Sequence, residues 1–490
     1  MRYSICKVFQ CFSLVASCLV IVGCGGGGGS VAGGGIGGTG IVASGTITAF
    51  GSIFVNGIEF ETKGANRDVD GEISVSDGSD DNAVLDIGMV VTVVGTLNDD
   101  GVTATAASIQ YDDAVQGAVQ GLSVAADQLT RSFTVMGISV TVHRINTVFD
   151  NVIFDTLQDD DLVEVSGFFD AGGVLLATRI ERKTGGEVEV KGTVSGLAGA
   201  TFTLDINNGT TTYMVDATDA ELPEGGLSDT LFVEVKGTLS GNTITATHVE
   251  QKDEGYDDVE KASIEGVVTD FNGIGGFRVA GQQVDASDAS FDPASLQGSI
   301  GNGMEVEVEG PILGGVLMAD EVEARGGDVE LGDRVLSVNP DAGGVTGSLT
   351  LQYVPGNLTV TVDSRTTLRD DTGVNDPLTL SDIHASEFLE IAAYRDGASG
   401  ELIATEIRRI ETGDDLLAGP VDSCTAGSLT ILGLSFALVD GTTQYQDEEE
   451  QPLATSTTFC AAQAAGDFPV KVEDKLPAPD GTADTAELEE

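Results

Sequence analysis

The sequence predicts an all-β protein, a tandem array of about six small OB-like β-barrel modules behind a signal peptide and a Gly-rich tether. Three observations predict it. A valine-rich alternating phrase recurs six times, and a second phrase suited to the return strand of a hairpin follows it. Turn formers are plentiful, with 66 Gly, and 41 % of the 490 residues are hydrophobic, which is enough apolar material for packed cores. An apolar segment and then a glycine run precede the first repeat.

At the N-terminus, Arg2 and Lys7 form a short basic region ahead of the mostly apolar stretch Val8 to Val22. That stretch is too short to span a bilayer and suits a signal peptide. It ends in Ile21-Val22-Gly23-Cys24, which resembles the lipobox of bacterial lipoproteins, whose signal is cut before a Cys that carries diacylglycerol. Gly25 after the Cys resembles lipoproteins sorted to the outer membrane. Residues 1–23 are therefore assigned to the signal peptide, and 24–44 to the lipidated Cys24 and its tether. The run Gly25 to Gly40 cannot bury enough surface to offset its backbone entropy, so it behaves as a coil with a reach of roughly 20–25 Å.

The repeats set the modules. Val91-Thr92-Val93-Val94-Gly95, Val163-Glu164-Val165-Ser166-Gly167, Val233-Glu234-Val235-Lys236-Gly237 and Val306-Glu307-Val308-Glu309-Gly310 share one form, and Leu389-Glu390-Ile391 and Val470-Lys471-Val472 are looser copies. Each phrase reads as a strand that ends at its Gly. About ten residues on comes Ala-x-x-Ile/Val, as at Ala106 to Ile109, Ala177 to Ile180, Ala246 to Val249, Ala319 to Val322 and Ala404 to Ile407. Turn residues such as Ser240-Gly241-Asn242 lie between, so the two phrases form a hairpin. Short strands such as Gly192-Thr193-Val194 open each unit, an alternating run follows, and an irregular or one-helix link leads into the hairpin. Five strands in 70 to 80 residues fit a small OB-like barrel better than a β-sandwich, which uses about seven strands and ~100 residues. The modules fall at 45–113, 114–183, 188–253, 262–328, 329–413 and 416–490. Period-2 alternation gives each strand one buried and one wet face.

The lipobox and glycine tract, the opening Phe50-Gly51-Ser52-Ile53-Phe54-Val55-Asn56-Gly57, and the repeated V-E-V-x-G with A-x-x-I-E together resemble bacterial outer-membrane-type lipoproteins built from domain of unknown function 5666. The resemblance implies tandem β modules on an exported lipoprotein and brings no reaction, ligand or catalytic residue.

Charge excludes several roles. With 79 acidic against 23 basic residues, the net charge of −56 leaves no electrostatic route to nucleic-acid phosphate or anionic lipid. The absence of Trp disfavours stacking platforms. Cys6, Cys11 and Cys18 leave with the signal and Cys24 takes lipid, so Cys424 and Cys460 remain as a disulfide pair, which would clip a helix to the last barrel.

No catalytic residue and no cofactor is assigned. His143, His248 and His384 sit in separate modules, and His248 fills a slot that Ser108, Arg179, Glu321 and Glu406 occupy elsewhere, as a solvent-facing position would. Paired carboxylates fall in loops, where solvation keeps them ordinary acids. Asp68, Asp70, Asp77, Asp80, Asp370, Asp371 and Asp376 supply calcium-type oxygens, but none completes an EF-hand register, so they read as a solvating acidic face. The expected role is a binding or structural scaffold in the outer membrane, on its periplasmic side or at the cell surface. It would meet the membrane through the lipid and an unknown protein or glycan partner through the modules, with no nucleic acid. The alternatives are an envelope enzyme with its site in one module, and a calcium-binding surface protein. A deep pocket around a buried, perturbed acid would favour the enzyme.

Overall fold

The computed structural model describes residues 40–490 apart from 51, 79–80, 99–102, 126–129, 207–208, 253–254, 293–295, 326–328, 376–377, 396–399, 448–450, 467, 476–478 and 490. The signal segment, Cys24, Asp80 and Asp376 lie outside the described residues.

Residues 187–251 display the module plan. Glu187–Ala198 pairs antiparallel with Thr201–Ile206, which pairs with Thr211–Asp216. Thr211–Asp216 runs parallel to Thr243–Gln251, the hairpin partner of Phe232–Ser240, and Phe232–Ser240 returns to Glu187–Ala198. The ring is thus closed by one parallel contact, and no strand of the five keeps a long open edge. Alternation builds it: Val190, Val194, Phe202, Leu204, Val215, Val235 and Ile244 point inward and are almost fully buried. Gly241 at φ 61 makes the two-residue hairpin turn, a backbone region that Gly enters without steric cost. The same parallel closure recurs between Ile58–Glu61 and Thr103–Tyr111, Ile138–His143 and Leu175–Arg182, Gln282–Asp285 and Val316–Met318, and Gly356–Val362 and Leu402–Ile410. In the links, Phe154, Leu296, Leu380 and Phe459 sit on short helical turns or helices and are buried.

The Gly that closes the valine phrase is not a strand end, as its sequence suggests. The strands Val90–Leu97, Leu162–Phe169 and Phe232–Ser240 run through it, and the pairing register slips there, between Val94 and Gly95, Ser166 and Gly167, and Lys236 and Gly237. Each slip is a β-bulge in which the glycine lies against the opposite backbone. A Cβ on Gly95 would stand 2.6 Å from the Thr105 carbonyl, and one on Gly237 only 2.8 Å from Ala246 Cα. Gly237→Ala is accordingly expected to destabilise its module by about 1–3 kcal/mol, as overpacking does. Gly186→Ala, with nothing within 4 Å of its Cβ position, should be silent. Thermal unfolding of the two variants checks the contrast.

Modules join through their opening strands. Ile41–Ser44 lies parallel to Lys261–Ile264, Val115 and Gln116 pair antiparallel with Val190 and Glu189, and Glu330–Gly332 pairs antiparallel with Leu416–Ala418. The first half of an OB-type opening strand has a spare edge, and two modules cover theirs together. The last module differs in that its strands Val421–Thr425, Ser428–Ile431 and Leu434–Ala437 form a separate three-stranded sheet. Cys424 in the first of these strands is bonded to Cys460 on the helix Ser456–Gly466, with Cα atoms 5.3 Å apart. Closing a loop of 36 residues stabilises the folded state by roughly 3–4 kcal/mol in the chain-entropy treatment.

Candidate functional site

The V-E-V glutamates lead to the site. Alternation places them opposite the barrel core, where solvent is expected, yet Glu164, Glu234 and Glu307 are only 5 %, 1 % and 1 % exposed. Neighbouring modules cover them. Each meets a cation six residues after the Ala of the A-x-x-I phrase: Lys183 Nζ is 2.7 Å from Glu164, Lys252 Nζ is 3.4 Å from Glu234, and Arg325 is paired with Glu307. Paired carboxylates are therefore not confined to loops: these three lie on strands and are buried. The recurrence of a cation at that offset was the sequence signal for these pairs.

Four modules meet at a cavity of about 90 Å³ lined by Thr46, Asn56, Thr178, Glu265, Glu305, Arg325, Arg365, Tyr394 and Glu406, among others. Its walls are held by bonds between modules. Thr46 N–H donates to Glu265 Oε2 at 2.6 Å. Asn56 Nδ2 donates to the Ser263 hydroxyl at 2.8 Å and to the Ser44 and Ser263 carbonyls at 3.0 Å. Ser263 Oγ in turn donates to Glu307, and Arg365 reaches Glu323 at 2.6 Å. Arg369 donates to the Thr147 carbonyl and lies 3.5 Å from Glu406.

Low dielectric dominates the acids here. Burial pushes Glu305 up to about 7, with Glu265 adding repulsion, and burial likewise lifts Glu323 and Glu406 to about 7 against the pull of Arg365 and Arg369. Glu265 is raised by burial as well. Burial works against the Arg325 guanidinium, but Glu307, Glu265 and Glu323 outweigh it and hold the charge firmly on. Chemically, the cavity can hold protons and a few waters. Its arginines are already bound to carboxylates.

The residues singled out from sequence are dispersed. His143 lies 3.2 Å from Glu330 of another module, His248 is exposed beside Glu221, and His384 is exposed beside Glu387. Asp370 is consumed locally: it accepts from the backbone N–H groups of Thr372, Val374 and Asn375 and from Arg409, and these bonds hold its carboxyl far below the usual range against the effect of burial. Asp371 is bound by Arg369 and Arg408, and Asp68 caps Gly71 N–H. Asp77 is exposed. Among the described residues of the group, Asp70 sits in a largely buried cluster with Asp113 and Glu189, and a second cluster joins Asp112, Glu234 and Glu250.

Fold and site together define a repeat-built β protein whose small barrels are stitched by opening strands and buried charge pairs. The chain belongs to the family of a domain of unknown function (DUF5666), which matches residues 116–181, 191–250, 265–323 and 335–408, more than half of the sequence. Among solved structures, drosophila Unr CSD456 is similar at 14 % identity, covering 46 % of this chain and 97 % of that one, with a TM-score of 0.12, a value that carries no inference. No curated protein matches the chain.

Proposed function

We propose that this protein is a lipid-anchored component of the cell envelope, held in the outer membrane by Cys24, that serves as a non-enzymatic binding or structural scaffold. The junction supports this reading best. Its arginines are engaged, Arg365 and Arg369 with neighbouring modules and Arg325 with Glu307, and its cavity of about 90 Å³ is well below the roughly 300–1,000 Å³ of sites that enclose metabolites. The barrels thereby become fixed supports for outward loops, on which a protein or glycan partner would dock. The anchor rests on Ile21-Val22-Gly23-Cys24 and the glycine tether. Cys24→Ser is expected to move the protein from the membrane fraction to the soluble exported fraction, since the net charge of −56 offers no other attachment. Retention of the variant in membranes contradicts the anchor. Capture of a specific partner from envelope extract by the intact protein, lost when the outward loops are exchanged, supports the scaffold. Turnover of a substrate that Glu305→Gln or Glu406→Gln abolishes would replace it with an enzyme.

A further inference from the structure

A second buried group of acids lies where the first three repeats meet, apart from the central cavity. Asp70 follows the strand Asn66–Val69 at φ 51, a conformation that Asp tolerates, and its Oδ1 accepts the N–H of Asp113 at 3.2 Å. Asp113 lies between the strands Thr103–Tyr111 and Val115–Ala118, in the short link from one module to the next. Glu189 comes from the opening strand Glu187–Ala198 of the third. One oxygen from each carboxylate falls within 4.8 Å of the other two. Asp113 is 1 % exposed, and neither of its oxygens has a hydrogen-bond partner; Glu189 Oε1 has none either. A buried carboxylate without donors is costly to desolvate, so the arrangement is incomplete as it stands.

Charge points the same way. The junction holds six largely buried carboxylates, Asp70, Asp112, Asp113, Glu164, Glu189 and Glu234, against four lysines, Lys183, Lys191, Lys236 and Lys252. The carboxylates outnumber the lysines. Glu181 and Glu250 touch Lys183 and Lys252 as well, and Arg179, which also reaches Glu181, is shared with Asp86 and Asp150, so neither relieves the excess. Lys236 Nζ lies 2.9 Å from Glu189 Oε2, 2.9 Å from the Asp70 carbonyl and 3.9 Å from Asp70 Oδ1, while Lys191 donates to the Asp113 carbonyl rather than to its carboxylate, which is left without a donor.

We propose that Asp70, Asp113 and Glu189 form a divalent-cation site that takes Ca²⁺ and clamps three modules together. Each of the three carboxylates brings one oxygen to a common point, the all-oxygen donor set that Ca²⁺ accepts in flexible geometry. Mg²⁺ keeps several waters in a strict octahedron, which suits this enclosed place poorly. A charge of +2 offsets the carboxylate excess of the junction.

Calorimetric titration of the chelator-treated intact protein with CaCl2 at pH 7.5, repeated with MgCl2, tests the site. The expected result is one saturable Ca²⁺ site that Asp113→Asn and Glu189→Gln each weaken at least about tenfold, because even groups that only orient metal ligands are worth that much. The exposed control Glu224→Gln should leave it unchanged. Circular dichroism of each variant confirms folding, and Asp70→Asn serves if either fails. No saturable binding, equal binding of Mg²⁺, or Ca²⁺ binding that survives both substitutions overturns the proposal.

Discussion

Replacing Arg325 by Ala is expected to cost about 3–5 kcal/mol of stability, the loss seen when one partner of a buried ion pair is removed. Arg325 follows the strand Glu321–Ala324 and pairs with Glu307, which is 1 % exposed and also accepts from Ser263. Glu265 and Glu323 act on the same guanidinium. Without it three acids share a site with little water, and Arg365, bound to Glu323, cannot serve all of them. The cost belongs to the unpaired charges, so the double variant Arg325→Met with Glu307→Gln should recover most of it. Urea unfolding followed by circular dichroism measures both. A single-variant loss below about 1 kcal/mol would mean that solvent reaches Glu307 after all.

Stability should also peak on the acid side of neutrality and decline as the solution becomes alkaline. Asp333 on Val329–Pro340 and Asp415 on Asp415–Gly419 face one another where two modules pair. Burial first, and then Asp415, raises Asp333 to about 8, with Arg334 and its N–H pulling the other way; burial and Asp474 raise Asp415 to about 6. Folded values lie above unfolded ones, so the folded state holds more protons; this stabilisation is full below about pH 4 and is lost as pH rises through 6 to 8. Glu305, Glu323 and Glu406 titrate in the same window. Acids held low, such as Asp112 beside Lys252 and Asp370 beside Arg409, give the opposite limb, lost as pH falls below about 4. Asp333→Asn should remove on the order of 2–4 kcal/mol of the alkaline decline while leaving the acid limb in place. Melting temperatures from pH 4 to 9 provide the comparison, and a decline equally steep in the variant would assign the proton elsewhere.

The barrel plan was legible because period-2 alternation and a repeated phrase report local strand structure directly. Val233-Glu234-Val235 and Ala246 to Val249 were read as a hairpin, and they pair as one, Val235 opposite Val249. The pairing of Cys424 with Cys460 followed from an even cysteine remainder. The bulge at Gly237 was not legible, since a glycine after alternating valines looks the same whether the strand ends or slips. In the looser copy of residues 388–395 the slip falls at the same place, between Ala392 and Ala393, with Ala393 standing where the other copies have glycine. The junctions were hidden for a different reason. Alternation says only that Glu164, Glu234 and Glu307 face away from their own core, and a residue on the outside of one barrel is buried when another barrel docks there. Asp113 and Glu189, 76 positions apart in the sequence, meet only through that docking.

Hydrogen exchange at the opening strands tests the central claim, that the barrels are joined by main-chain pairing into a fixed frame. The amides of Ile41–Ser44 and Lys261–Ile264 lie in the parallel contact between modules that are more than 200 residues apart. Amides in a paired strand exchange only when the pairing opens. The account predicts that these segments are protected as strongly as Val91 and Val93 in the neighbouring barrel core, and that Arg325→Ala lowers protection in both segments together. Exchange of both at the rate of free edge strands, with the barrel cores still protected, would contradict it and leave separate barrels on a string.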